Sequence, residues 1–573
     1  MKNGKLSRRD FLRATAIATG AMAAAACGAP EPAAPEAVSE GADTTGSDCD
    51  QDWVSGWPPA PIKYDPVVEV SVPFNAWPTF APGYDATNNP YYNWYLEEMG
   101  IKFNIHWMAD GELRQQKLQA DIAAGTMPDM INLQDPLFNQ LIDEGALKEI
   151  KDIWEATASP LSLEVHRYPE GKNWIHCFRN DRQELYGLDL GITDKVFCTI
   201  SWIRNDWLEQ LDMPMPDSVE GWDKTLHAFN EAGLCAYGIT AQKSLFSWAH
   251  DFTKIFGAYR VMPGLWRDYG DGKLVYDSLT DTNKEVLELL NGWYSDGLMD
   301  PDFHTLDWAS GLNTAADGNA GIVTMPMWGT SRIVEIEKKV QGEFKTMPLP
   351  TGPTGEMGRR WTSPVFHAWV FRHDLEDIKV EALIQQLNHQ RELHVNGPTK
   401  HNAYGPLDDM GNDGLFQEGY DWEWDENCEI SLLEYQTGTS FRDVGFHHAT
   451  YPGYQRHADL NRQRLRKMDP SELSKVEKYF IRDPGLARQE VAYAQLFDEA
   501  EYEIENEFLG VNTPRMNELL PNLQKVEDEF YLSIVLGLKP LDAFEEYVSK
   551  WHELGGDEVA EDVNAWYESY KAS

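Results

Sequence analysis

The stretch ELRQQKLQADIAAGTMPDMINLQDPLFNQLIDEGALKEI, residues 112–150, decides the fold because it encodes a helix, a strand and a second helix in succession. Leu118 and Ile122 are four residues apart and therefore share one face of the first helix. Gly125 is typical of the position just after a helix, and Pro128 prevents that helix from resuming.

The second half of this stretch predicts a buried strand that leads directly into a helix. The apolar run at 129–133 has the length of such a strand, and Gly145 ends the helix that follows it. Gln134 and Asp135 come at the carboxyl end of the strand, where open α/β sheets bind small ligands. Asp135 either contacts a ligand or only caps the helix that begins at Pro136.

The same stretch resembles the extracellular solute-binding proteins of ATP-binding-cassette importers, in their lipoprotein-type branch that binds sugars and oligosaccharides. AAGTMPDMINL (123–133) and LIDEGALKEI (141–150) carry the motif. Residues 200–222, 287–303 and 508–570 are similar to later parts of that family. The resemblance implies an α/β, two-lobed, type II-like periplasmic-binding-protein fold, with two wound sheets and a ligand cleft between the lobes.

The length of 573 residues exceeds what one hydrophobic core organises, so two lobes are expected. We predict a first lobe from 66–190 plus about 318–371. The second lobe is predicted from 191–317 plus about 372–573 and includes the C-terminal helices. The βαβα order near the start of the first lobe predicts a largely parallel sheet.

The N-terminal region has the features of an export signal followed by a tether. SRRDFL at 7–12 matches the twin-arginine consensus, and residues 1–26 form the predicted signal peptide. The sequence around Cys27 resembles a lipobox, which implies a lipidated Cys27; cleavage at an A-x-A site without lipid is the alternative. Residues 27–65 are rich in Pro, Ala, Glu and Gly and predict a disordered tether. We therefore expect the protein on the extracellular face of the cytoplasmic membrane.

Charge and cysteine content exclude several classes of partner and cofactor. The chain has 93 acidic and 49 basic residues and a formal net charge of −44, which disfavours nucleic acid as a partner. Many members of the family it resembles carry a calcium-binding loop, and at 230–237 this loop is deleted, so no metal and no other cofactor are predicted. Cys177 and Cys198 lie on adjacent predicted strands and form either a disulfide or two isolated thiols.

No catalytic motif is present, and we predict a binding protein without enzymatic activity. The sequence has no G-x-S-x-G, Walker A, H-E-x-x-H or C-x-x-C pattern. The partners implied by the resemblance are a carbohydrate and the permease subunits of an importer, and the protein is expected to be a monomer. An exported polysaccharide-acting enzyme and a binding protein for peptides remain the alternatives.

Aromatic side chains are the main candidates for ligand contact. An indole covers the apolar C–H face of a sugar ring, and several of the 21 tryptophans follow strands or open loops rather than lie on helical stripes. The alternative for each of these tryptophans is packing in the core or between the lobes, without ligand contact. The predicted ligand-binding tryptophans are Trp77, Trp202, Trp248, Trp328 and Trp361.

Polar side chains that directly follow a predicted strand are the second group of candidates for ligand contact. At that position they can form hydrogen bonds with the hydroxyl groups of a sugar. Arg204 has the alternative of pairing with a nearby acid. The predicted polar contacts, together with one tyrosine in an unplaced loop, are Asn75, Gln134, Asp135, Arg204 and Tyr404.

Overall fold

The computed structural model describes residues 61–74, 84–109, 111–133, 137–165, 184–189, 198–246, 249–361, 368–395, 422–424, 430–432, 466–469, 471, 481, 484–510 and 512–572. Its strands are β1 Val68–Phe74, β2 Ile101–Met108, β3 Met130–Leu133, β4 Gly187–Asp189, β5 Thr199–Arg204, β6 Trp266–Asp268, β7 Leu274–Tyr276, β8 Ile322–Pro326, β9 Phe344–Thr346, β10 Arg359–Arg360, β11 Ala368–Phe371, β12 Trp422–Trp424, β13 Ile430–Leu432 and β14 Glu503–Ile504.

The α-helices of the described residues are α1 Pro90–Trp94, α2 Gly111–Ala124, α3 Leu137–Asp143, α4 Lys151–Thr157, α5 Pro160–Val165, α6 Asn205–Gln210, α7 Val219–Glu231, α8 Thr253–Ala258, α9 Asn283–Ser295, α10 Trp308–Ala316, α11 Thr330–Val340, α12 Asp377–Val395, α13 Pro484–Asp498, α14 Pro514–Val535, α15 Ala543–Glu553 and α16 Gly556–Ala572. None of these helices combines the length and the apolar character that a membrane span requires.

The stretch that decides the fold forms the elements expected from its sequence. Helix α2 ends at Ala124, and both Gly125 and Gly145 have φ of +68°, a left-handed conformation that glycine adopts without a steric penalty. Strand β3 lies between them, with Met130 and Ile131 completely buried. The local helix-stop and strand signals are therefore confirmed.

The first lobe, residues 61–189 and 368–395, has its own apolar core. Strands β1 and β2 run parallel, and β3, β11 and β4 form a second sheet with β11 in the centre. Helix α12 packs on these sheets through apolar side chains such as Leu383 and Leu387, both completely buried.

The second lobe, residues 198–361 and 484–572, is organised around the sheet β8-β5-β9. The two faces of this sheet carry different cores, because successive side chains of a strand point to opposite faces. Ile203 and Ile322 join a core with α7, α9 and the C-terminal helices, whereas Trp202 and Val323 join one with α11 and α13. The lobe is thus a three-layered α/β structure.

The lobe boundaries differ from those expected. Strand β8 was assigned to the first lobe with 318–371, but it pairs with β5 and packs in the second lobe. Helix α12, assigned to the second lobe, packs in the first. Tyr64, near the end of the predicted tether, donates its backbone N–H to the carbonyl oxygen of Met99 at 2.9 Å, so the first lobe begins before residue 66.

The direction of the strands also differs in part from the expected parallel sheet. Strands β1 and β2 are parallel, but β11 is antiparallel to β3 and β4, and β5 is antiparallel to β8 and β9. The reason is connectivity, since β5 and β11 each enter their sheet from the other lobe instead of through a crossover helix within one lobe.

A buried carboxylate joins the C-terminal helices to the rest of the second lobe. Glu527 of α14 is 2% exposed. Its oxygens accept hydrogen bonds from the hydroxyl groups of Tyr276 at 2.7 Å, Ser278 at 2.9 Å and Tyr547 at 3.4 Å. Burial raises the pKa of Glu527 to about 7, although the hydrogen bonds from Tyr276 and Ser278 oppose that rise.

This carboxylate predicts a pH-dependent stability. An unfolded glutamate has a pKa near 4.5, so the folded chain binds the extra proton up to about pH 7 and its free energy of unfolding falls as the pH rises through this window. Glu527→Gln removes that dependence. We expect its free energy of unfolding, relative to wild type, to rise by about 2 kcal/mol between pH 5.5 and pH 8 in urea denaturation.

Glu529→Gln is the control on the same helix, because the Glu529 side chain is 62% exposed and faces Lys525 at 3.8 Å. Its effect is expected to stay within about 0.5 kcal/mol at both pH values. An E527Q difference that does not change with pH would contradict the assignment of Glu527 as the titrating group.

Candidate functional site

Three changes of lobe are evident between consecutive described segments, and the first two define one edge of each lobe. It leaves the first lobe between Asp189 and Cys198, returns between Trp361 and Ala368, and leaves again after α12. The seven-residue step from Trp361 to Ala368 spans at most about 25 Å when fully extended. The edges from which these crossings start, named here the crossing edges, therefore lie near each other.

The crossing edge of the first lobe contains the carboxyl ends of β3 and β4. Leu133 and Asp189 are both aligned with Ala368, the first residue of β11 after the crossing. Gln134 directly follows Leu133 in the sequence. The carboxyl ends of β3 and β4 therefore lie at this edge, and ligand binding there stays a prediction.

The crossing edge of the second lobe is formed by the start of β5 and the end of β8. Thr199 is aligned with Pro326, and the backbone N–H of Met327 donates to the carbonyl oxygen of Cys198 at 3.0 Å. A short 3-10 turn, Met327–Gly329, follows β8 and contains Trp328. The backbone thus places Trp328 at this edge.

A buried lysine lies against the same edge. Lys254 of α8 is 3% exposed, and its Nζ donates to Oγ1 of Thr199 at 2.9 Å. Burial lowers the pKa of Lys254 to about 8, and the charge of the buried Asp251 opposes that shift. Asp251 accepts hydrogen bonds from the backbone and hydroxyl groups of Thr253 at 3.1 and 2.7 Å, which fix the start of α8.

A buried histidine precedes this pair. His250 is completely buried, and its backbone N–H donates to the carbonyl oxygen of Thr324 in β8 at 2.7 Å. Its imidazole lies 2.8 Å from Oγ1 of Thr240 and 3.1 Å from the carbonyl oxygen of Trp308. Burial lowers the pKa of His250 to about 4, so the ring is neutral at neutral pH.

Trp361 lies at the point where the chain leaves the second lobe. It is partly buried, and its backbone N–H donates to the carbonyl oxygen of Ile504 at 3.0 Å. Arg359, two residues earlier, is 2% exposed and pairs with Glu503 at 2.6 Å. This ion pair fixes β10, which leads into the crossing.

Trp202 and Arg204 do not lie at the crossing edge, which corrects their prediction as ligand contacts. Trp202 is completely buried in the middle of β5, with β8 on one side and β9 on the other. Arg204 is at the opposite end of β5 and forms a bidentate pair with Asp206, with N–O distances of 2.8 and 2.6 Å. Its guanidinium lies 4.1 Å from the ring centre of Trp207. Trp202 is thus a packing residue and Arg204 pairs with an acid, which is the alternative stated for each of them.

The other predicted residues fall into two groups, those at the crossing edge and those affected by the gaps in the described residues. Trp328 and Trp361 lie at the crossing edge of the second lobe, by the backbone positions given above. Cys198 is buried, but its predicted partner Cys177 lies outside the described residues, so the disulfide stays a prediction. The remaining predicted residues also lie outside the described ranges: Cys27, Asn75, Trp77, Gln134, Asp135, Trp248 and Tyr404.

Sequence reasoning missed His250, Lys254 and Trp308. These buried side chains have no local signature, because Thr199 is 55 residues from Lys254 and Trp308 is 58 residues from His250. A weak signal was present for Trp308, since Asp307 is a good N-cap residue and so predicts that an aromatic side chain opens a helix.

Comparison with known protein families identifies the chain. Residues 77–370, just over half of the chain, match the model of the bacterial extracellular solute-binding proteins. The chain belongs to this family. Two curated relatives from Bacillus subtilis (strain 168) are similar over most of their length. The polygalacturonan/rhamnogalacturonan-binding protein YtcQ is 21% identical over 82% of this chain and 86% of its own. The lipoprotein LipO is 19% identical over 86% and 92%.

Solved structures support the two-lobed fold of this solute-binding protein. The alginate-binding protein AlgQ2, solved without calcium ion, aligns with a TM-score of 0.61 and 14% identity. The alignment covers 89% of this chain and 99% of AlgQ2. The α/β, two-lobed fold that the sequence resemblance implied is therefore confirmed.

Proposed function

We propose that the protein binds a carbohydrate, of oligosaccharide size, between its crossing edges and delivers it to the permease subunits of an ATP-binding-cassette importer. The observation that carries this proposal is membership in the solute-binding family, together with relatives that are named for binding polygalacturonan, rhamnogalacturonan and alginate. The two crossing edges support it, because their short connections favour hinge closure around a ligand.

The proposal includes no chemical step on the ligand. The relatives are binding proteins. The buried cations described above have protein partners, since Lys254 donates to the hydroxyl of Thr199 and Arg359 pairs with Glu503. The protein acts as a monomer, and the ligand leaves it unaltered.

The location follows from the N-terminal sequence. A twin-arginine signal within 1–26 exports the folded protein, and lipidation of Cys27 anchors it to the extracellular face of the membrane. The segment that follows, up to about residue 60, acts as the tether. Support comes from the lipobox-like sequence and from the similarity to LipO, a lipoprotein.

A ligand screen tests the function. Differential scanning fluorimetry compares neutral oligosaccharides, uronic-acid oligosaccharides and peptides, each with the full mature chain. A ligand at one hundred times its dissociation constant stabilises the folded state by about 2.7 kcal/mol. We expect a thermal shift with at least one class of saccharide and none with peptides. A shift with peptides alone, or hydrolysis of the bound saccharide, would overturn the proposal.

A further inference from the structure

Trp308 lies in the surface layer of the second lobe, in the helix that precedes β8. It is the first residue of α10, and the carboxylate of Asp307 caps this helix by accepting from the backbone N–H of Ser310 at 2.9 Å. Trp308 is partly buried, whereas its neighbours Asp307 and Ala309 are exposed. The indole therefore does not belong to the interior core.

His250 links Trp308 to the sheet. The imidazole and indole rings stack, with their centres 6.2 Å apart and an angle of 26° between their planes. Because the carbonyl oxygen of Trp308 only accepts, Nε2 of His250 carries the proton and donates to it, and Nδ1 accepts from the hydroxyl of Thr240. The backbone N–H of His250 is bound to Thr324 of β8, two residues before the strand ends. The ring is thus held at both nitrogens, on a backbone fixed to the sheet.

The backbone at His250 is strained. Its φ of +47° is a left-handed conformation that a residue other than glycine adopts at a cost of about 1–3 kcal/mol. The site is also shaped around the imidazole, since a Cβ atom on Gly311 would come within 2.7 Å of Cδ2 of His250. Such strain is concentrated at ligand-binding sites, where a fixed geometry is needed.

We propose that Trp308 is a ligand contact whose indole stacks on a sugar ring, and that His250 is its positioning residue. The inference rests on the proposed function. A hexose presents an apolar C–H face that a flat indole covers, and a ring already held in place loses little conformational entropy on binding. The bond from His250 to Thr324 joins this platform to β8, the strand that ends at Pro326 and leads to Trp328.

Isothermal titration calorimetry with the saccharide found in the ligand screen tests the contact. Trp308→Ala is expected to raise the dissociation constant at least tenfold, whereas Trp308→Phe, which keeps a flat ring, changes it less than about threefold. Tyr570→Ala is the matched control. Tyr570 is 50% exposed and stacks on Trp566 with ring centres 5.0 Å apart, but in α16. Its removal should leave the dissociation constant unchanged.

A double-mutant cycle separates positioning from general stability. His250→Asn tolerates a positive φ but removes the imidazole, and it should weaken binding in the wild-type background. In the Trp308→Ala background the same change should have little further effect on the dissociation constant, because His250 acts through Trp308. Equal effects of His250→Asn in both backgrounds would contradict a positioning role.

The outcomes distinguish this inference from the proposed function. If wild type binds no saccharide of the screen, the proposed function fails and this inference fails with it. If wild type binds and Trp308→Ala binds within twofold as tightly, only the assignment of Trp308 is wrong. Should Trp308→Ala not fold, Trp308→Leu retains more apolar volume than alanine but has no aromatic face, and the same tenfold loss is expected of it.

Discussion

Replacing Arg359 by methionine is expected to lower the free energy of unfolding by about 3–5 kcal/mol, because it leaves two largely buried carboxylates without their cation. The Arg359 side chain is 2% exposed, and its Nη2 donates to Glu503 at 2.6 Å and to the carbonyl oxygen of Leu496 at 2.5 Å. Its Nη1 lies 3.7 Å from Glu499, whose side chain is 14% exposed. Urea denaturation followed by circular dichroism measures the effect.

Arg332→Met is the matched control, because the Arg332 side chain is 47% exposed and pairs with Glu335 on the same helix at 3.0 Å. An exposed pair of this kind contributes at most about 1 kcal/mol. Arg359→Lys should also destabilise, since an ammonium group does not reproduce the fork of a guanidinium. Equal effects of R359M and R332M would contradict the account of β10 as an anchored strand.

Gly257→Ala is the second substitution with a large expected effect. Helix α8 and the segment before β10 are in direct backbone contact, and a Cβ atom on Gly257 would lie 2.0 Å from the carbonyl oxygen of Gly358. Because the obstructing atom belongs to the backbone, the two segments must separate. We expect a loss of about 3 kcal/mol or more in the free energy of unfolding, measured in urea.

Gly292→Ala is the control, and it is expected to raise the free energy of unfolding instead of lowering it. Gly292 is inside helix α9, and a Cβ atom there would meet no other atom within 4 Å. Alanine in a helix interior is favoured over glycine by about 0.5–1 kcal/mol, so this variant should be more stable than wild type. A G257A protein as stable as G292A would show that α8 and Gly358 are not in contact.

Both substitutions concern the region that leads into a crossing between the lobes. Arg359 fixes β10 to the segment around Glu503, and Gly257 allows α8 to lie against the residue before β10. Both contacts therefore fix the segment of the second lobe that ends at Trp361.

The sequence predicted those parts of the fold that depend on local signals. The helix-strand-helix unit at 112–150 is marked by Gly125 and Gly145, whose left-handed conformation only glycine adopts easily. The apolar stripes of α14, α15 and α16 likewise follow from helical spacing, and Trp551 on the stripe of α15 is 2% exposed.

The parts that were missed depend on distant partners. Strands β5 and β8 pair although they are more than one hundred residues apart in the sequence. No local pattern reveals such a pairing, and the predicted lobe boundary at about 318 was therefore wrong. The same pairing buries Trp202, because β5 lies between β8 and β9. Neither neighbouring strand is evident from the sequence around Trp202. The left-handed backbone of His250 is likewise imposed by its surroundings and has no signal in the sequence.

The central claim is that two lobes close on a carbohydrate that they do not alter. Small-angle X-ray scattering of the mature chain, with and without a saturating amount of the saccharide identified in the screen, tests it most directly. The account predicts that the radius of gyration decreases when the saccharide is bound. A radius of gyration that stays the same at full occupancy, as established by calorimetry, would contradict it.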